Sequence, residues 1–305
     1  MKIHHELRRP GGPPLVLAIG FFDGFHRGHQ AIVRELRRLR KPGYRAAVLT
    51  FANHPAAFLR PGTEPPFITT AAERIDLLAG AGVEECFFIP FDERIAKLTP
   101  QQFIDDVLVA QLQVRGVVTG DRFRFGNARA GDAEFARSAL HAHGVAFSGV
   151  PNTMHAGERI SSTRIRACIA AGAMEEAQEL LGHGYSLRGI VRLGAGRGHD
   201  LGFPTANVAL HEEKLLPKDG VYAALARYDG RDYPALVSIG TNPTFGGSER
   251  TVEAWLRDFE LTIYGEELAL RDFRYVRDQQ TFADAGALIE RMQLDLEAVS
   301  YPSYG

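Results

Sequence analysis

The sequence predicts two modules of different fold class: an α/β domain on a doubly wound parallel sheet, then a small antiparallel β-barrel with a terminal helix. Three observations carry this. The chain has 305 residues, more than one typical domain at about 100–200 residues each. Short apolar runs alternate with amphipathic stretches up to residue 181, the pattern of βαβ units. Beyond residue 183 the runs become strand-like and are separated by Gly, Asp and Pro, as in an antiparallel sheet that closes on itself.

Taken in order, residues 15–19 (LVLAI) form an apolar run ending at Gly20, as expected of a strand buried on both faces. Residues 30–40 place Ile32, Val33, Leu36 and Leu39 on one helical face. Strands are expected at 45–51, 86–90, 115–119 and 145–150, with helices at 70–80, 100–112, 132–142 and 161–181 between or after them. The boundary falls at about 182–186, giving domains 1–183 and 184–305. In the second domain, strands are expected at 185–193, 220–228, 233–239, 251–258 and 268–275, with a last helix at 283–299.

Bulk properties narrow the function. Apolar residues are 45% and charged residues 24% of the chain, ordinary for a globular protein. The net charge of −2 argues against a nucleic-acid partner, which usually calls for a basic face. Cys86 and Cys168, outside any CxxC or Cys/His cluster, give no disulfide framework or metal site. The start, MKIHHELRRPGGPP, has no apolar signal region, and no run approaches the ~20 apolar residues that cross a bilayer. A cytoplasmic protein with small-molecule partners and no membrane partner is the expectation.

The first chemical constellation is Ala18-Ile-Gly-Phe-Phe-Asp-Gly-Phe-His-Arg-Gly-His29. Gly20 closes a strand. Gly24 and Gly28 let backbone approach a ligand, and His26 and His29 stand just before a helix. Free N–H groups at a helix N-terminus favour a polyphosphate. Two imidazoles there can donate to an α-phosphoryl group as its charge grows. The second is Arg159-Ile-Ser-Ser-Thr-Arg-Ile-Arg166. Ser161 or Ser162 suits a helix N-cap, and Arg159, Arg164 and Arg166 with the hydroxyls suit the outer phosphates and leaving pyrophosphate.

The third is Gly194-Ala-Gly-Arg-Gly-His-Asp-Leu-Gly-Phe-Pro-Thr-Ala-Asn207. It is neither a Walker A loop nor a Rossmann fingerprint. Gly194, Gly196 and Gly198 can still cradle phosphates, and Thr205 and Asn207 offer hard oxygen ligands for a Mg2+ ion. The fourth is Thr251-Val-Glu-Ala-Trp-Leu-Arg-Asp-Phe259. Its alternation puts Val252, Ala254 and Leu256 on one face and Glu253, Trp255 and Arg257 on the other. On pattern alone, Glu253 reads as an exposed strand glutamate that can also serve as a general base.

These segments resemble the bacterial bifunctional riboflavin kinase/FAD synthetases. G-x-F-D-G-x-H-x-G-H and I-S-S-T-x-I-R look like the adenylyltransferase module; F-P-T-A-N and T-V-E-x-x-L-x-D-F look like the kinase module. The resemblance covers about residues 15 to 299. It implies a Rossmann-like nucleotidyltransferase domain, then a riboflavin kinase barrel. Riboflavin and ATP would give FMN; FMN and ATP would give FAD and pyrophosphate; both steps would need Mg2+. By the same resemblance, His26, His29 and Glu253 are catalytic. Gly20, Phe22, Asp23, Gly24, Gly28, Arg159, Ser162, Thr163, Arg166, Gly194, Gly196 and Gly198 would bind ATP phosphates. Thr205 and Asn207 would hold the metal and Arg277 the flavin. The chain departs from the pattern at Phe21, Asn53, Arg122, His199, Trp255, Thr262 and Gln279. A kinase with a drifted adenylyltransferase module and a non-catalytic flavin-binding protein stand as alternatives at this stage.

Overall fold

The structure is a computed structural model; it describes residues 1–59, 61–193, 205–241, 250–280, 282 and 285–298. By contact, the chain divides into Met1–Ser162 and Thr163–Gly305.

The first unit runs β1 (Lys2–His4), β2 (Leu15–Ile19), α1 (Arg27–Leu39), β3 (Arg45–Phe51), α2 (Pro55–Leu59), α3 (Ala71–Gly80), β4 (Glu85–Ile89), α4 (Glu93–Lys97) and α5 (Pro100–Gln102). A π-helix, Phe103–Gln111, continues α5. Then come β5 (Val114–Gly120), α6 (Ala133–Ala142), β6 (Ala146–Val150), β7 (Met154–His155) and β8 (Glu158–Arg159). One sheet has the order β1-β4-β3-β2-β5-β6, all parallel. The apolar run of β2 is unbroken because the sheet is covered on both sides. Leu15, Leu17 and Ile19 enter one core, with Leu49 and Phe87. Val16 and Ala18 enter the other, with Val33 and Leu36. The chain steps from β2 toward β3 and β4, then crosses back to β5 on the other side of β2. Ligands of open α/β sheets bind at such a reversal, beyond the carboxyl ends of the strands; Gly20 and Gly120 mark those ends.

Three differences from the expected elements have physical causes. Helix α1 starts at Arg27 rather than residue 30, because His26 caps it. The stretch expected as an α-helix at 100–112 is mostly a π-helix, closed by an i→i+5 bond from Leu112 N to Val107 O at 2.9 Å. The helix expected at 161–181 is two, α7 (Ser162–Ala171) and α8 (Met174–Leu181), broken at Gly172, whose φ is +78°.

The second unit continues with β9 (Ser186–Arg192), β10 (Thr205–Leu210), β11 (Gly220–Tyr228), β12 (Arg231–Thr241), β13 (Arg250–Leu256), β14 (Glu267–Arg277) and α9 (Ala285–Ala298). Six antiparallel strands close a barrel in the order β10-β13-β12-β11-β14-β9. Val252, Ala254 and Leu256 are buried with their partners Ile239, Val237 and Ala235, so these faces fill the barrel. The alternate positions form rows on the outer face. Thr205 pairs with Trp255, and Trp255 with Leu236. Asn207 pairs with Glu253, and Glu253 with Ser238.

Candidate active sites

In the first unit the site is the loop between β2 and α1. Phe22, Gly24 and Phe25 all have positive φ, 57°, 77° and 35°. Such backbone is costly for residues with a side chain and persists only where neighbours over-determine it. Here nearly every group is held. Phe21 O accepts from Thr50 Oγ1 and Arg74 Nη1, both at 2.9 Å. The Asp23 carboxylate, 1% exposed, accepts from Ile68 N, Thr69 N and Thr69 Oγ1. Gly24 N donates to Thr69 Oγ1, and Ser162 Oγ donates to Asp23 O at 3.0 Å. The rings of Phe22 and Phe25 are buried in the core. Phe22 and Asp23 therefore shape the loop, and what they present to a ligand is backbone.

The two histidines sit at its end. The His26 and His29 rings stack at 3.7 Å, 15° from parallel. Nδ1 of His26 accepts from His29 N at 3.3 Å, which leaves Nε2 to carry the proton. Gly28 leaves room for this stack: a Cβ there would lie 3.0 Å from His26 Cε1, a tight approach to the ring. Burial pushes the His29 imidazole well below its usual value, with His26 and then Arg74 adding to the effect, so His29 is uncharged at neutral pH. Its Nδ1 is buried without a hydrogen-bond partner. So is the hydroxyl of Thr119, near the carboxyl end of β5 beside β2. Unsatisfied polar atoms at a strand reversal are groups that a ligand can satisfy.

The second motif is split between the units. Arg159 is exposed on the β7–β8 hairpin, and Ser162 is the first residue of α7, leaving Ser161 at the cap position. Thr163 and Arg166 follow on α7 within the second unit. Arg164, expected among the phosphate-facing cations, is instead ion-paired with Glu176 of α8 at 2.6 Å.

In the second unit a cavity of about 640 Å³ lies against the outer barrel face. Thr205, Ser238, Glu253 and Trp255 line it from the strands, Gln279 and Phe282 from beyond β14, and Met292 and Asp295 from α9. The register explains the convergence: neighbours within a row point the same way, so Glu253 stands between Asn207 and Ser238. The Gly194, Gly196 and Gly198 cradle lies outside the described residues. Arg277 also lines the cavity, but its guanidinium is engaged. Nε and Nη2 both reach Asp295 Oδ2 at 2.8 Å, and Arg291 Nε reaches Asp295 Oδ1 at 3.0 Å. Asp295 is 1% exposed, so it latches α9 to β14 beside the cavity.

Sequence reasoning missed this latch and the Thr50, Thr69 and Arg74 clamp. Asp295 lies among other charged helix residues, and nothing in the pattern sets it apart. Removing one partner of a buried ion pair costs about 3–5 kcal/mol. Asp295→Ala is therefore expected to lower the melting temperature and raise KM for the barrel's acceptor substrate, while the first unit's reaction is retained. Unchanged melting and KM would show that the latch is not needed.

The loop and the barrel cavity define a two-module class, an α/β unit with stacked histidines at its sheet reversal followed by a closed barrel with a carboxylate-lined cavity. The chain matches the FAD synthetase family model over residues 11–164 and the riboflavin kinase model over residues 181–301. It is 36% identical to the bifunctional riboflavin kinase/FMN adenylyltransferase of Listeria monocytogenes, covering 92% of this chain and 90% of that one. It is 34% identical to the Escherichia coli K12 protein of the same description, covering 95% and 93%. The chain belongs to the bifunctional riboflavin kinase/FMN adenylyltransferase family. A crystal structure described as a macrolide-efflux protein from Streptococcus pneumoniae is also similar, with a TM-score of 0.87 and 32% identity over 97% of both chains. Among the described residues here, no helix is long and apolar enough to cross a membrane.

Proposed function

We propose that this chain makes FMN and then FAD, with residues 184–305 serving the first reaction and residues 1–183 the second. In the barrel, the 5′-hydroxyl of riboflavin attacks the γ-phosphorus of ATP, Glu253 takes the hydroxyl proton, and ADP leaves. Thr205 and Asn207 would hold Mg2+ through a hydroxyl and an amide oxygen; this ion keeps most of its remaining coordination for water and phosphate. When bound, it would neutralise charge on the transferring phosphate. Their place on one strand, opposite Trp255 and Glu253, suits that role. The Gly194, Gly196 and Gly198 loop would cradle the phosphates. Arg277, on the cavity wall, would bind the flavin, and through Asp295 it also fixes α9 there.

In the α/β unit, a phosphate oxygen of FMN attacks the α-phosphorus of the second ATP, and pyrophosphate leaves. His26 and His29 donate to the α-phosphoryl oxygens, the backbone of Gly20 to Gly28 accommodates the phosphates, and Arg159, Ser162, Thr163 and Arg166 receive the pyrophosphate. The reading rests above all on one observation: each module of the family is present with its own polar constellation, the stacked histidines on one unit and the Glu253 row on the other. The small-molecule substrates, with no nucleic acid, fit the −2 net charge, and we place the protein in the cytoplasm.

The test is a chromatographic time course of purified protein with riboflavin, ATP and Mg2+. FMN is expected first and FAD after it, and both are expected to stop with EDTA. FMN alone would mean a silent α/β module. No product would leave a flavin-binding protein.

A further inference from the structure

The clamp on the α/β loop contains a group that the reaction, as set out above, does not use. Arg74, on α3, is completely buried. Its Nη1 donates to Phe21 O, while Nε and Nη2 are buried with no hydrogen-bond partner. The guanidinium lies among three aromatic rings, 4.6 Å from the centre of Phe21, 5.2 Å from Phe88 and 5.9 Å from Phe67. Burying a guanidinium without a direct carboxylate partner is costly, and a methionine or leucine would fill the same space more cheaply. Aromatic faces offset part of that cost. Phe21, which departs from the family pattern, supplies the nearest of them and packs edge-on against His54 at 4.7 Å.

What the cation gains is the loop. The carbonyl it holds belongs to the residue just before Phe22, where the backbone first turns left-handed. The two donors on that carbonyl come from different elements, Thr50 on β3 and Arg74 on α3, and together they fix where the turn begins. The turn delivers His26 to the head of α1 and His29 onto its ring. Arg74 is also near enough to act electrostatically on Asp23 and His29.

We propose that Arg74 is a positioning residue for adenylyl transfer, holding the turn that sets His26 and His29 and placing a fixed cation beside it. This inference rests on the proposed role of the His26–His29 loop. A misplacement of about 1 Å far from the chemistry can cost about a hundredfold in rate. Arg74→Met should therefore lower kcat for FAD formation from supplied FMN by about ten- to a hundredfold. KM for FMN should change by less than about threefold, because the variant alters alignment and not the acceptor's contacts. Riboflavin phosphorylation by the same preparation is the internal control and should be unchanged. Arg74→Lys keeps the charge and a donor and should recover part of the lost kcat.

His29→Ala is measured in parallel. If it lowers FAD formation by about a hundredfold or more while Arg74→Met and Arg74→Lys keep wild-type kcat, the positioning role is overturned and the loop assignment survives. If His29→Ala leaves FAD formation intact, the loop assignment itself fails. Should Arg74→Met lose both activities through misfolding, Arg74→Lys decides: a reduced kcat with unchanged KM supports the role, and wild-type kcat overturns it.

Discussion

Replacing Glu253 with alanine is expected to abolish FMN formation and to leave FAD formation from supplied FMN intact. General-base catalysis is typically worth about a hundredfold to ten-thousandfold, so residual phosphorylation should fall by at least about a hundredfold. The expectation comes from the rows of the barrel. Glu253 lies on the outer face, between Asn207 and Ser238 in register, and lines the cavity with Thr205. Its neighbours on the strand, Val252 and Ala254, are buried inward, so the variant removes a carboxylate without opening the core. Glu253→Gln keeps the shape and loses the base, and it should match the alanine variant. Product chromatography with riboflavin in one reaction and FMN in the other separates the outcomes. Loss of both activities would sink the independence of the two sites; FMN formation by the glutamine variant would remove Glu253 from the chemistry.

The sequence made the parallel sheet legible because its strands are apolar on both faces. Leu15 to Ile19 feed two cores at once, and no amphipathic helix produces such a run. The barrel was legible for the opposite reason, since strands half-buried on a closed sheet alternate, as residues 251–256 do. Strand β10 escaped notice because Thr205 and Asn207 drew a chemical reading, and the strand is only six residues long. Strand β1 escaped because three residues carry no period. It is held from outside itself, by its pairing with β4 and by the hydrogen bond between His4 and the buried Glu85 at 3.0 Å.

Candidate site residues stand out in the sequence where chemistry requires a residue type at a fixed spacing, and are obscure where it requires a partner from elsewhere. The His26–Gly28–His29 spacing shows in the chain because cap, stack and close approach all occur within one turn. Arg74, Thr69 and Thr50 act on that turn from 29 or more positions away, and Asp295 reaches Arg277 across 18. Arg277 illustrates the difference: the resemblance offers it to the flavin, and the fold both sets it on the cavity wall and gives it a carboxylate partner on α9 that no local pattern shows. Phe21 is a departure in the motif and an aromatic wall for Arg74 in the structure. Neither fact follows from local pattern, because both depend on which elements the tertiary fold brings side by side.

Replacing His29 with alanine should produce the converse split, with FAD formation from FMN falling by about a hundredfold to a thousandfold, the usual cost of one preorganised donor to a developing oxyanion. Riboflavin phosphorylation should continue. His29 is the cleaner of the two histidines to remove. His26 caps α1 through Nδ1, so its loss would also cost about 1 kcal/mol of helix stability and mix folding with catalysis. The pH dependence gives a second check. An imidazole driven down by burial loses its proton well below 6.5, so His29 is neutral both at pH 8 and at pH 6.5. The kcat/KM profile, which reports the free enzyme, should therefore carry no His29 inflection near 6.5. A break there that vanishes in His29→Ala would mean that the imidazole titrates normally and is not enclosed as the stacked geometry requires. Unchanged FAD output in the variant would mean that the α-phosphoryl group is held elsewhere.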